Sequence, residues 1–136
     1  GYAYVAPVFD PQTHAITAYQ SLRTGQTVKP AAIALLDVPF LRSQFTYYRG
    51  ERTPGGLFTP PLATPAGLAK SEYWLQRSVQ ECPQNPLAVY MLGKVRERRG
   101  EIAEATQAYN DAYVLYLRYG WVPGEMERAR NAIKYR

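Results

Sequence analysis

Apolar residues recur at steps of three and four along most of this chain, the spacing of one face of a helix. Leu68, Leu75, Val79 and Cys82 form such a stripe behind Thr64-Pro65, which offers a capping hydroxyl and a proline for the first turn. The same reasoning predicts a helix from about 86 to 99, opened by Pro86 and stopped by Gly100. A third follows from about 101 to 119 and stops at Gly120. Pro123-Gly124 opens a last helix over 123–135, with Met126, Ala129, Ala132 and Ile133 turned inward. Cys82 lies on a buried stripe, so a structural thiol is expected there.

The first half of the chain is less regular. Residues 1–10 are apolar and aromatic and read as an extended arm. Asp10-Pro11 has the form of a helix start, and Ala15, Ile16, Tyr19 and Leu22 recur at helical spacing before Gly25. That predicts a first helix from about 11 to 23. Pro30 opens an apolar run that Pro39 interrupts, which predicts two short helices within 30–49. The N-terminal helices thus occupy 11–49. Residues 50–65 hold three glycines and four prolines and form a loop. Its Leu57, Phe58 and Leu62 need cover, so it is expected to strap over the core or to serve as a lid or partner-binding segment. No strand pattern stands out. The expected fold class is all-α, with 1–136 as a single helical domain.

Composition narrows the function classes. A 136-residue chain that is 46% hydrophobic builds one core, and no run of about 20 apolar residues is present to span a membrane. A single cysteine and a single histidine, His14, leave no zinc cluster and no histidine-based catalytic group. Gly55-Gly56 is not followed by Lys-Ser/Thr, so no phosphate loop is present. Glu101 and Glu104 pair in a helix first turn, where they complement the helix dipole. The chain is therefore expected to be non-catalytic, with no cofactor and no metal. Its charge of +5 comes from twelve Arg and four Lys against 11 acids, spread along the sequence. Arginine favours bidentate and stacked contacts with anionic partners. The chain starts at Gly1 rather than Met, which suggests a processed protein or an excised piece.

The segment 86–119 adds something more specific. Leu92-Gly93, Gly100, Ala105, Tyr109 and Ala112 stand where a tetratricopeptide repeat needs small, turning and large packing residues. This stretch resembles one such repeat, departing from the pattern at Arg96 and Leu117. One period of 34 residues upstream, Pro83, Leu75, Ser71 and Ser78 match the second helix of a degenerate repeat. Its first helix has no counterpart, because the Pro/Gly loop lies there. The resemblance covers 66–119, with 123–135 as a closing cap. It implies antiparallel helix hairpins covered by the N-terminal helices, since a lone repeat cannot bury its own face.

The resemblance also implies a binding surface. First helices of such hairpins line a concave face, which here would take Leu87, Tyr90, Lys94, Glu97 and Arg98. Tyr90 would offer stacking area, and Lys94 with Arg98 two cations for an acidic partner segment. Met91 replaces the asparagine of the family's carboxylate clamp, which argues against C-terminal carboxylate capture. On the next helix, Tyr109, Tyr113, Tyr116 and Tyr119 share a stripe. Tyr113, Tyr116, Arg118 and Tyr119 form a second candidate interface, suited to self-association.

The chain is also similar to the extramembrane helical domain of bacterial envelope glycan ligases and polymerases, through Asn85-Pro86-Leu87-Ala88-Val89-Tyr90, Gly100-Glu101 and Pro39–Tyr48. That resemblance implies an acceptor-docking domain and an extracytoplasmic location. A third reading is RNA binding by an arginine-rich surface around Arg118, Arg128 and Arg130. Nucleic acid is not the expected partner, since the charges are dispersed; another protein or peptide segment is.

Overall fold

The computed structural model describes residues 5–28, 36–59 and 62–136. They belong to two compact units, 1–35 and 36–136. The first unit holds a three-stranded antiparallel meander of β1 (Val5–Phe9), β2 (Ile16–Ser21) and β3 (Thr27–Val28). The register pairs Val5 with Ser21 and Tyr19 with Val28.

The helix expected near 11–23 is therefore absent, and the chain is not one purely helical domain. The misreading has a physical cause. Asp10 Oδ1 accepts the N–H groups of Gln12 and Thr13, each at 2.8 Å, as a helix cap does. A turn uses the same bonds. His14 then adopts φ 58°, and Asp10 N–H closes on the Ala15 carbonyl at 2.8 Å, reversing the chain. The next turn repeats the device: Gly25 takes φ 70°, and Ser21 N–H donates to the Gln26 carbonyl at 2.9 Å. Beyond each turn, β-branched Ile16, Thr17, Thr27 and Val28 favour a pleated backbone. The short helix expected over 30–37 falls mostly outside the described residues.

The second unit is helical. It contains α1 (Val38–Glu51), α2 (Pro65–Glu81), α3 (Pro86–Arg99), α4 (Ile102–Arg118) and α5 (Gly124–Ile133). The four helices expected from residue 66 onward stand within a residue or two of their predicted bounds. Three starts share one construction. Asp37, Thr64 and Asn85 each accept the N–H three residues on, and proline occupies the first turn. Gly100, at φ 82°, carries the left-handed turn between α3 and α4.

Each helix packs on the next in sequence. Small residues let α1 and α2 approach. Ser43 and Ser78 exchange hydroxyl-to-carbonyl bonds of 2.8 and 2.7 Å, and Ser71 donates to the Gly50 carbonyl at 2.7 Å. The buried Asn85 amide joins this knot, donating to Ser43 Oγ at 3.0 Å and Gln44 Oε1 at 3.1 Å while its oxygen caps α3. Two apolar clusters complete the core. One gathers Tyr47, Leu68, Leu75, Ala88, Leu92 and Val95; the other is built on Tyr90, Tyr109, Tyr116, Met126 and Ile133. Cys82 is buried, as its stripe predicts, although it ends α2 in an extended conformation.

The Pro/Gly loop is a strap. Thr53 donates to the Arg49 carbonyl, Thr59 to that of Glu51, and Thr64 N–H to that of Gly55. Gly67 in the first turn of α2 sits so close that a Cβ there would overlap the Gly55 backbone. Leu57, Phe58 and Ala63 pack onto the first cluster.

Candidate partner-binding site

Helix α3 lies between α2 and α4 and so buries most of its surface. Of the five residues expected to line an open face, one is freely available. Leu87 is half-buried and packs against both clusters. Tyr90 is only 4% exposed, with its ring 5.8 Å from that of Tyr109. It is core, not a stacking platform: α4 supplies a second tyrosine on that side, and α5 closes over the pair with Met126 and Ile133. Its hydroxyl is buried and has no hydrogen-bond partner among the described residues.

Lys94 is half-buried and bridges elements. Its ammonium lies 5.6 Å from the Tyr90 ring and 5.7 Å from the Phe58 ring, and pairs with Glu125 of α5 at 3.5 Å. Glu97 accepts the Tyr109 hydroxyl at 2.5 Å and pairs with Arg136 at 3.3 Å. Arg98 is exposed and has no carboxylate within reach among the described residues. It lines two clefts at once. One, of about 430 Å³, is apolar, with Leu57, Phe58 and Ala63 of the strap on its walls. The other, of about 210 Å³, is bordered mainly by charged residues and adds Lys94, Glu97 and Arg136. Leu57 borders both.

The buried tyrosines are held neutral. Burial pushes Tyr90 up to about 12, with the charges of Glu125 and Glu97 acting in the same direction. Burial likewise raises Tyr116 to about 12. Tyr109 is raised further, by burial first and then by its bond to the Glu97 carboxylate.

The tyrosine stripe of α4 divides between core and surface. Tyr109 and Tyr116 are buried. The Tyr113 ring is covered by the Arg130 guanidinium at 4.1 Å, and Arg130 also donates to Asn110 at 2.8 Å. Tyr119 packs edge-on against Phe40 of α1 at 6.5 Å. Arg118 is exposed beside a groove of about 390 Å³ floored by Val79, Val89 and Leu115. The four tyrosines therefore do not form one open aromatic face.

Sequence reasoning missed the partners that reach α3 from elsewhere. Phe58 comes from the strap, and Glu125 and Arg136 come from the C-terminal segment. Glu72 of α2, buried, pairs with Arg96 at 3.2 Å and with Arg99. Arg96, a departure from the repeat pattern, thus has a structural role. None of these pairings leaves a local signal, because the partners lie 12 or more residues apart.

No family model, no curated protein and no solved structure matches this chain. Among the described residues, no helix is long and apolar enough to cross a membrane, and no group of three metal-ligating side chains occurs.

Proposed function

We propose that the chain is a non-catalytic, tetratricopeptide-like interaction module that takes an acidic partner segment at the Arg98 clefts. The observation that carries this reading is the position of Arg98. It is the exposed cation, with no carboxylate in reach among the described residues, where an apolar cleft meets one bordered by charged residues. A segment pairing a carboxylate with an apolar side chain satisfies both. The carboxylate takes the guanidinium in a bidentate fork, and the side chain enters between Leu57, Phe58 and Ala63. Lys94 and Arg136 add positive potential, although each already has an acidic partner. The succession of helices α1 to α5, each packed on the next, supports the hairpin-repeat interpretation. On this reading α1 supplies the first helix of the upstream hairpin, displaced by the strap.

Peptide display against the wild-type protein tests the proposal. Enriched peptides should carry an Asp or Glu close to a large apolar residue. Arg98→Glu should abolish the enrichment while leaving the fold intact, since exposed substitutions shift stability by about 0.5 kcal/mol or less. Equal enrichment by the variant, or selection of peptides without acids, would contradict it.

A further inference from the structure

The outward side of α1 and α2 carries charge that the Arg98 site does not use. Arg42, Arg49 and Arg52 of α1 and its C-cap, and Lys70 of α2, are exposed and lie beyond reach of any carboxylate among the described residues. Two of these guanidiniums already rest on aromatic rings. Arg49 lies 4.9 Å from the centre of Trp74, and Arg52 lies 5.6 Å from that of Tyr48. Phe45, 67% exposed, stands beside them. Two clefts, of about 540 and 330 Å³, flank this group and share Phe45, Arg49 and Trp74. Glu81 is the one carboxylate on either cleft, and it is engaged by the Thr46 hydroxyl and by Arg77.

We infer that this face binds single-stranded nucleic acid. Four cations without a carboxylate partner among the described residues call for a polyanion. The exposed Phe45 ring and the partly buried Trp74, which lie among those cations, call for planar groups between the anions. A strand of nucleotides supplies both, with phosphates on the arginines and bases stacked on Phe45 and on the Arg49–Trp74 pair. Two neighbouring clefts with a common wall suit two successive nucleotides. An acidic peptide would satisfy the charge and leave the rings unused. An anionic membrane would draw on the exposed Val38, Leu41 and Phe45 of α1 and leave the Arg49–Trp74 pair and the two clefts unused. This surface differs from the one around Arg118, Arg128 and Arg130, where Arg130 is committed to Asn110 and Tyr113. The inference does not depend on the Arg98 reading.

The experiment uses the full chain with Trp121→Phe, so that Trp74 is the one tryptophan left and can be excited selectively over the tyrosines. Short oligothymidine and oligouridine are titrated at several salt concentrations, beside polyglutamate and vesicles containing phosphatidylserine. The nucleic acids should quench Trp74, and log affinity should fall with log salt by about 0.7 per phosphate engaged. Arg42→Ala and Arg52→Ala should each flatten that slope by roughly the same 0.7 with unchanged circular dichroism. Trp74→Ala, read by anisotropy of a labelled strand, should weaken binding roughly tenfold to a hundredfold. Four results would overturn the inference: no binding at low salt, binding without quenching, indifference to the arginine variants, or equal quenching by polyglutamate or vesicles.

Discussion

Gly93 and Tyr109 set how closely α3 and α4 approach. A Cβ at Gly93 would lie 2.8 Å from two Tyr109 ring atoms and 3.2 Å from the Ala108 methyl. The ring cannot yield, because Tyr109 is fully buried and its hydroxyl is tied to Glu97. Two effects oppose each other in Gly93→Ala. Helix propensity favours alanine by about 1 kcal/mol, and overpacking costs about 1–3 kcal/mol. Overpacking should win here, with a net loss of about 1 kcal/mol in urea unfolding, rising to about 3 kcal/mol for Gly93→Leu. A stabilised alanine variant would show that the pair has room. The tyrosines give a second expectation. Their hydroxyls ordinarily titrate near 10.0, and burial raises Tyr90 and Tyr116 to about 12. The folded state then binds protons more tightly than the unfolded one, so their contribution is complete below pH 10 and declines as pH rises toward 12. Stability measured by denaturant across that window should drop by up to about 1.4 kcal/mol per pH unit for each such tyrosine. A flat profile would contradict the burial of these hydroxyls.

Among the elements, the strap makes the sharpest demand on sequence. Gly67 occupies the first turn of α2, where alanine would ordinarily strengthen a helix. Here the added methyl meets backbone, which has no rotamer to change. Gly67→Ala should therefore lift the strap, and a protease should cut within 52–64 far faster than in the wild type while the helices persist. Unchanged cleavage would mean that the strap is not anchored at this point. The helices of the second unit were legible because prolines, capping side chains and glycines punctuate an apolar period near 3.6. The hairpins were not. Asp10 makes the same two bonds in a turn as at a helix start, and Ile16 and Tyr19, three apart, mimic a helix face although they fall on opposite faces of β2. What separates the cases is one left-handed residue, and at position 14 it is a histidine rather than the expected glycine.

At the scale of the whole chain, both apolar clusters consist of residues beyond Leu35, so the helical unit carries the core. That unit also carries both surfaces with unspent charge. The α3 face expected from the repeat resemblance is largely closed by long-range partners: Phe58 from the strap, Glu125 from α5 and the terminal Arg136. Arg98 alone keeps the character expected of it. The helix phase alone identifies which residues share a side of α3, and only tertiary packing decides which of them solvent reaches. Lys94 illustrates the difference. Reversing its charge would set two acids against each other at Glu125, so its loss would mix a local structural effect with any loss of binding. Arg98 is the cleaner probe. The central claim, that an acidic segment binds at the junction of the two clefts, is tested most directly by amide chemical shifts. A selected acidic peptide titrated into isotope-labelled protein should move the resonances of Leu57, Phe58, Ala63 and Arg98 together, and Arg98→Glu should remove those shifts. Shifts confined to α1 and α2, or persisting unchanged in the variant, would contradict it.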